Sequence, residues 1–306
     1  MKTRFSLKWG NANERGKFRS PISWMDLIFA VLFCFTFMVN QSAVAQNKPQ
    51  IQVGENIRTM VFDNQTREYL LYIPKQYDSK SPLSLILLFH GNDMVAKQIM
   101  EMTDFSKVAD EKHFIIAAPN YQKGAQKGWS GLNYDIVKFT KDFIREIGLI
   151  VPIDKKRIYA TGYSRGGFIC SRLACELSTD IAAIGIVGGL HFPMKSPPRA
   201  VSVIAFHGTA DQYDKSAESV LPHWVENNEC KGTPLTQKIT EDVNQISYSS
   251  CKDNSEVIFF RVNEGGHTWP GGPRADSLEE KGMGKTNKDI NATNLIWKFF
   301  EAHPLP

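Results

Sequence analysis

Long apolar runs are scarce in this chain. The longest, Leu27 to Val39, covers 13 residues, whereas a membrane-spanning helix needs roughly 20. Stable membrane insertion is therefore not expected. The run lies behind a basic stretch (Lys2, Arg4, Lys8, Arg15, Lys17, Arg19) and ahead of Ala43-Val44-Ala45. That basic, apolar, small-residue order reads as a secretory signal peptide over residues 1–45, with residues 46–306 as one mature domain in a secreted or periplasmic protein. An uncleaved anchor is the alternative, and initiation at Met25 would remove the basic region.

Charge of one sign is also lacking. The chain carries 36 basic and 32 acidic residues. Six and two of these precede residue 46, so 30 of each remain. A neutral body offers no field to a polyanion, which argues against nucleic acid as a partner. Metal-binding patterns are missing too: there is no H-E-x-x-H and no paired C-x-x-C, so neither metal nor cofactor is expected. Gly284-Lys285-Thr286 resembles the end of a phosphate loop, but Glu279 stands where its first glycine belongs.

Cysteines number five. Cys170 and Cys175 are separated by roughly 7.5 Å along a helix axis and fall on different faces, as two buried thiols would. Cys230 and Cys251 flank a polar stretch, and in an oxidising compartment they could close an ordinary disulfide loop. Two free thiols is the competing reading.

What is present is alternation. Arg58–Phe62 and Arg67–Ile73 read as a hairpin around Asp63-Asn64-Gln65. Leu83–Phe89 and Phe114–Ala118 read as strands buried on both faces. Further strands are expected over Arg157–Thr161, Ala183–Val187, Val201–Phe206 and Val257–Val262. Helical spacing marks Gln98–Glu111, Tyr134–Gly148, Gly166–Glu176, Ala217–Asn227 (which Pro222 should kink or restart) and Asn287–Ala302. The order predicts an α/β fold, a mostly parallel sheet with helices on both faces.

Between one such strand and helix lies Gly162-Tyr163-Ser164-Arg165-Gly166. A serine hydroxyl becomes nucleophilic when a histidine takes its proton and a carboxylate orients that histidine. On a parallel sheet the serine stands on a tight strand-to-helix turn, with small residues two before and two after it. Ser164 is thus the candidate nucleophile. Its partners should follow in the order acid, then histidine. Asp211 comes just after the strand ending at Phe206, with Asp214 its competitor. His267 sits in Gly265-Gly266-His267-Thr268-Trp269-Pro270-Gly271-Gly272. His90 is expected to serve the loop after the first buried strand, and His207 to pack under the acid. The oxyanion donors would be the N–H of Arg165 and that of Asn92 or Gly91.

These residues, with Leu88-Phe89-His90-Gly91, Asp154 and His207-Gly208-Thr209-Ala210-Asp211, resemble the secreted polyhydroxybutyrate depolymerase and feruloyl esterase group of α/β-hydrolases, from about Arg67 to Pro304. The resemblance implies an α/β-hydrolase fold and a secreted serine esterase with the triad Ser164, Asp211 and His267. It supports the Cys230–Cys251 bridge, and it implies a substrate-lining tryptophan at Trp129, with Trp269 beside the base as a second. Its substrates would be small esters or ester-decorated polysaccharide. Arg165, Asn92-Asp93 and the lone Asp135 depart from the group's pattern around the cleft. A serine peptidase on the same fold and a non-catalytic carbohydrate-binding relative are the alternatives.

Overall fold

The computed structural model describes residues 51–120, 135–193 and 195–306. The proposed signal peptide and Trp129 lie outside these residues. One ten-stranded sheet organises the described chain. Its strands are β1 (Gly54–Phe62), β2 (Gln65–Ile73), β3 (Leu83–Phe89), β4 (Phe114–Pro119), β5 (Ile153–Tyr163), β6 (Ala183–Val187), β7 (Ser202–Gly208), β8 (Leu235–Lys238), β9 (Val243–Tyr248) and β10 (Val257–Val262). The order across the sheet is β1-β2-β4-β3-β5-β6-β7-β10-β9-β8. From β4 to β10 every neighbouring pair is parallel, while β1, β2, β9 and β8 pair antiparallel at the two edges.

The parallel strands are apolar on both faces because helices cover both. The helices are α1 (Ala96–Thr103), α2 (Phe105–Lys112), α3 (Ile136–Ile150), α4 (Arg165–Glu176), α5 (Ala217–Asn227), α6 (Ala275–Glu280) and α7 (Ala292–Ala302). Phe139, Phe143 and Ile147 of α3 pack with Ile169 and Leu173 of α4 and Trp224 of α5 over Leu85, Leu87 and Ile158. On the opposite face, Ile99 of α1, Phe105 of α2 and Ile296 and Phe300 of α7 pack over Ile86, Leu88 and Tyr159. The two sets alternate along β3, as the two-residue period of a strand requires.

Several boundaries move from their sequence positions for identifiable reasons. The expected helix Gln98–Glu111 is two helices, broken at Asp104 with φ 53°. Thr103 at the break donates its hydroxyl to the Ile99 carbonyl at 2.8 Å, and its own carbonyl accepts from Thr293 on α7. A tertiary hydrogen bond thus ends a run that local periodicity would continue. The final helix starts at Ala292 rather than Asn287, since Asn291 caps it by accepting from the Asn294 N–H at 2.8 Å. Asp135 caps α3 in the same way, accepting from the Val137 and Lys138 N–H groups. Helix α5 runs unbroken through Pro222, its burial of Val220, Leu221 and Trp224 outweighing one lost backbone bond.

The polar stretch between Cys230 and Cys251 is not a loop but the hairpin β8–β9. Its inner strand extends the sheet beside β10. Cys230 and Cys251 form a disulfide across a separation of 21 residues, while Cys170 and Cys175 are free and buried. Closing a loop of that size stabilises by about 3 kcal/mol through the unfolded chain. The double variant Cys230→Ser/Cys251→Ser should therefore lose about that much unfolding free energy in urea titration. A change under about 0.5 kcal/mol would show that the bridge does not restrain the unfolded chain.

Candidate active site

The parallel sheet reverses its winding between β3 and β5, because the chain passes from β3 to β4 on one side and then to β5 on the other. Such a switch opens a crevice at the carboxyl ends of the strands. Ser164 follows β5 there, and Gly91-Asn92 follow β3. The turn at Ser164 is forced by backbone contact. A Cβ on Gly162 would lie 2.5 Å from the Gly166 carbonyl carbon and 2.9 Å from the Phe89 oxygen, and one on Gly166 would run into that same Phe89 oxygen. Strand and helix meet main chain to main chain, which only glycines allow. Ser164 takes up the bend with φ 54° and ψ −117°, a conformation few non-glycine residues adopt. Its N–H donates to the Val187 carbonyl at 2.9 Å, and its carbonyl accepts from Gly167 and Phe168.

Asp211 and His267 meet at the end of the neighbouring strands β7 and β10. His267 Nδ1 donates to Asp211 Oδ2 at 2.7 Å, and both side chains are buried. The proton on Nδ1 leaves Nε2 as the basic nitrogen. Burial pushes the Asp211 carboxyl up, but the His267 hydrogen bond and charge, with the N–H groups of Tyr213 and Asp214, outweigh it and hold the pKa below its usual value. Asp214 is thus a neighbour of the acid rather than the partner of the histidine. Its N–H donates to Asp211 Oδ1 at 3.0 Å, and burial pushes its own carboxyl up.

Two tyrosines that the sequence did not single out pack against His267. The Tyr163 hydroxyl donates to the His267 carbonyl at 2.6 Å, and the Tyr163 and Tyr213 rings lie 4.9 and 5.1 Å from the imidazole. Tyr163 carried no signal beyond being a variable position inside the motif. Its role depends on a contact 104 residues away.

Ser164, His267, Asn92 and Tyr213 line two clefts at once. The first, about 430 Å³, is walled by Met94, Met102, Leu278 and Met283, with Arg274 and Lys281 also lining it. The second, about 320 Å³, is lined by Arg165, Phe168, Leu190, His191 and Asp214. No other described residue engages the main-chain N–H of Arg165 or of Asn92. Asn92 faces both clefts, and Gly91 neither, although a Cβ on Gly91 would come 3.3 Å from that of Ser164. His90 is buried, its Nδ1 donating to the Gly91 carbonyl at 2.7 Å. His207 is buried with its ring 6.1 Å from that of Phe259.

The expectation for Trp269 needs correction. It is fully buried between sheet and helices, with Nε1 donating to Thr293 at 2.9 Å and its ring edge-on to Phe105. It supports the floor beneath the base and lines neither cleft. Among the described residues, no group of three His, Cys, Asp or Glu could hold a metal ion, and no helix is long and apolar enough to cross a membrane.

The lowered pKa of Asp211 links it to stability. A carboxyl that binds protons more weakly when folded stabilises the fold above the unfolded pKa, near about 4. That contribution is lost as pH falls through the lower folded value. Asp211→Asn should therefore be less stable than the parent at pH 7, with the difference shrinking on acidification to pH 3 in urea titrations. A difference constant across that range would refute the linkage.

No family model matches the chain. Among proteins, it is 22% identical over 270 residues to feruloyl esterase D of Neurospora crassa, covering 82% of this chain and 87% of the relative. It is 26% identical over 246 residues to feruloyl esterase C of Emericella nidulans, covering 77% and 84%. Among solved structures, the acetyl xylan esterase of Aspergillus awamori superposes with a TM-score of 0.57 at 12% identity, covering 74% of this chain and 99% of that one. An S-formylglutathione hydrolase from Agrobacterium tumefaciens gives 0.54 at 10% identity, covering 82% and 97%. With this sheet and these neighbours, the chain has an α/β-hydrolase fold, and the proteins it is similar to in sequence are feruloyl esterases.

Proposed function

We propose that the protein is a secreted serine esterase that hydrolyses carboxylic esters through an acyl-enzyme. The observation that carries this reading is the 2.7 Å His267–Asp211 pair at the carboxyl ends of β7 and β10, with His267 lining the same clefts as Ser164 after β5. Feruloyl esterase relatives favour an ester over an amide as the bond cleaved. The basic-apolar-small order of residues 1–45 supports export.

In this mechanism Ser164 Oγ attacks the ester carbonyl while His267 Nε2 takes its proton. Asp211, kept ionised by its hydrogen bonds, stabilises the imidazolium that forms. The N–H groups of Arg165 and Asn92 receive the oxyanion. His267 then hands the proton to the departing alcohol, and water repeats the sequence to release the acid. The strained Ser164 backbone presents the hydroxyl at the crevice before substrate arrives, so little reorganisation is needed.

The two clefts suit the two halves of an ester. The methionine- and leucine-walled cleft is apolar and sized for an aromatic or short aliphatic acyl group, as ligand pockets generally are. The second cleft has more polar walls and suits the alcohol, which in ester-decorated polysaccharide is a sugar. Esters of feruloyl or acetyl groups fit this division.

Ser164→Ala should lower kcat for p-nitrophenyl acetate and methyl ferulate at least about 10³-fold with the protein still folded, and abolish labelling by a fluorophosphonate. Asp211→Asn should cost about 10³–10⁴-fold, because the histidine loses its orienting anion. Turnover by Ser164→Ala within tenfold of the parent would refute the nucleophile.

A further inference from the structure

The second cleft contains a cation for which no ion pair or hydrogen bond is formed among the described residues. Arg165 immediately follows the candidate nucleophile and lines the cleft together with Phe168. Its guanidinium carbon stands 4.8 Å from the centre of the Phe168 ring, which fixes its direction. The Nε atom is buried and without a hydrogen-bond partner. Among the described residues no carboxylate or carbonyl pairs with the group, whereas Arg172, nearly two helical turns along α4, is held by Glu176 at 2.7 Å. A guanidinium left open beside a reaction centre is matched to a planar anion, which it binds through parallel N–H groups.

The one acid lining the same cleft among the described residues is Asp214. It is buried, its Oδ1 accepts from Ser216, and its carboxyl is pushed up by burial. It therefore competes weakly for the guanidinium. Outward from Arg165 the surface continues in rings: Phe168 meets His191 at 4.6 Å, His191 meets Phe192 at 5.9 Å, and Phe192, which is exposed, meets His223 at 4.8 Å. Such a path offers flat apolar faces to a ring-shaped alcohol whose charged end has been placed by Arg165.

We infer that this cleft is an anion-selecting alcohol subsite, so that the preferred esters are those whose alcohol part carries a carboxylate, a hydroxy acid or an acidic sugar. The inference rests on the ester-hydrolase reading above and adds to it the class of leaving group. The acyl-side cleft also carries Arg274, which pairs with Glu101, and Lys281, so a matched acyl-side pair controls for their charges.

The test compares matched pairs of esters by kcat/KM. On the alcohol side these are 3-acetoxybenzoate against phenyl acetate, and methyl acetylglucuronoside against methyl acetylglucoside. On the acyl side the pair is monomethyl succinate against methyl butanoate. Comparing each charged-to-neutral ratio between parent and variant cancels intrinsic reactivity and any general loss of rate. Arg165→Gln should lower the alcohol-side ratio about tenfold, the worth of one charge-assisted contact. Arg165→Lys should fall between, Phe168→Leu should lower the ratio in part by freeing the guanidinium, and added salt should lower it in the parent but not in Arg165→Gln. The first pair responding alone assigns a hydroxy acid, and the second alone an acidic sugar. An unchanged alcohol-side ratio in Arg165→Gln, or an equal fall on the acyl side, would overturn the subsite while leaving the esterase standing. Failure of the parent to hydrolyse any of the six esters would overturn both.

Discussion

Everything at the site depends on main chain touching main chain where β3, β5 and α4 converge. The Phe89 carbonyl, Gly162 and Gly166 approach so closely that no Cβ fits between them. Ser164 is thereby driven to positive φ and stands clear of the sheet. Backbone strain of this kind costs of order 1–3 kcal/mol and persists because the surrounding structure over-determines it. The same convergence aligns the end of β3, which carries Asn92, with the start of α4, which carries Arg165. One steric constraint therefore sets both the proposed nucleophile, Ser164, and the two N–H groups proposed to meet the oxyanion.

The proposed base, His267, is held by a second, softer set of contacts. Tyr163 reaches the His267 carbonyl, Trp269 fills the space beneath, and Asp211 is itself fixed by two N–H groups from its own loop. Tyr163 and Trp269 take no part in the proposed proton transfers, and Asp211 acts only through the imidazole. They keep the imidazole from wandering off the serine, a displacement of about 1 Å being enough to cost about 10²-fold in rate.

The central architecture could be read from sequence because it obeys short-range rules. Leu83–Phe89 and Phe114–Ala118 are unbroken apolar runs, which only strands covered on both faces tolerate. The glycine spacing around Ser164, followed by an acid after one late strand and a histidine after another, made the three site residues nameable before any geometry. What escaped was long-range. The β8–β9 hairpin is polar because it forms an exposed sheet edge, so it looked like a loop. The break at Asp104 depends on Thr293, and the burial of Trp269 depends on Phe105 and α7. Local pattern carries no record of such partners. The tyrosines around His267 were invisible for the same reason.

The sharing of Ser164, Asn92, Tyr213 and His267 between two clefts also bears on what happens between the two halves of turnover. In the proposed mechanism, an alcohol leaving through one cleft vacates it while the acyl group still occupies the other. Water and any second alcohol then reach the acyl-enzyme through the same opening and compete for the same imidazole. A site built this way partitions its intermediate by acceptor concentration, so that hydrolysis and acyl transfer become two outlets of one geometry.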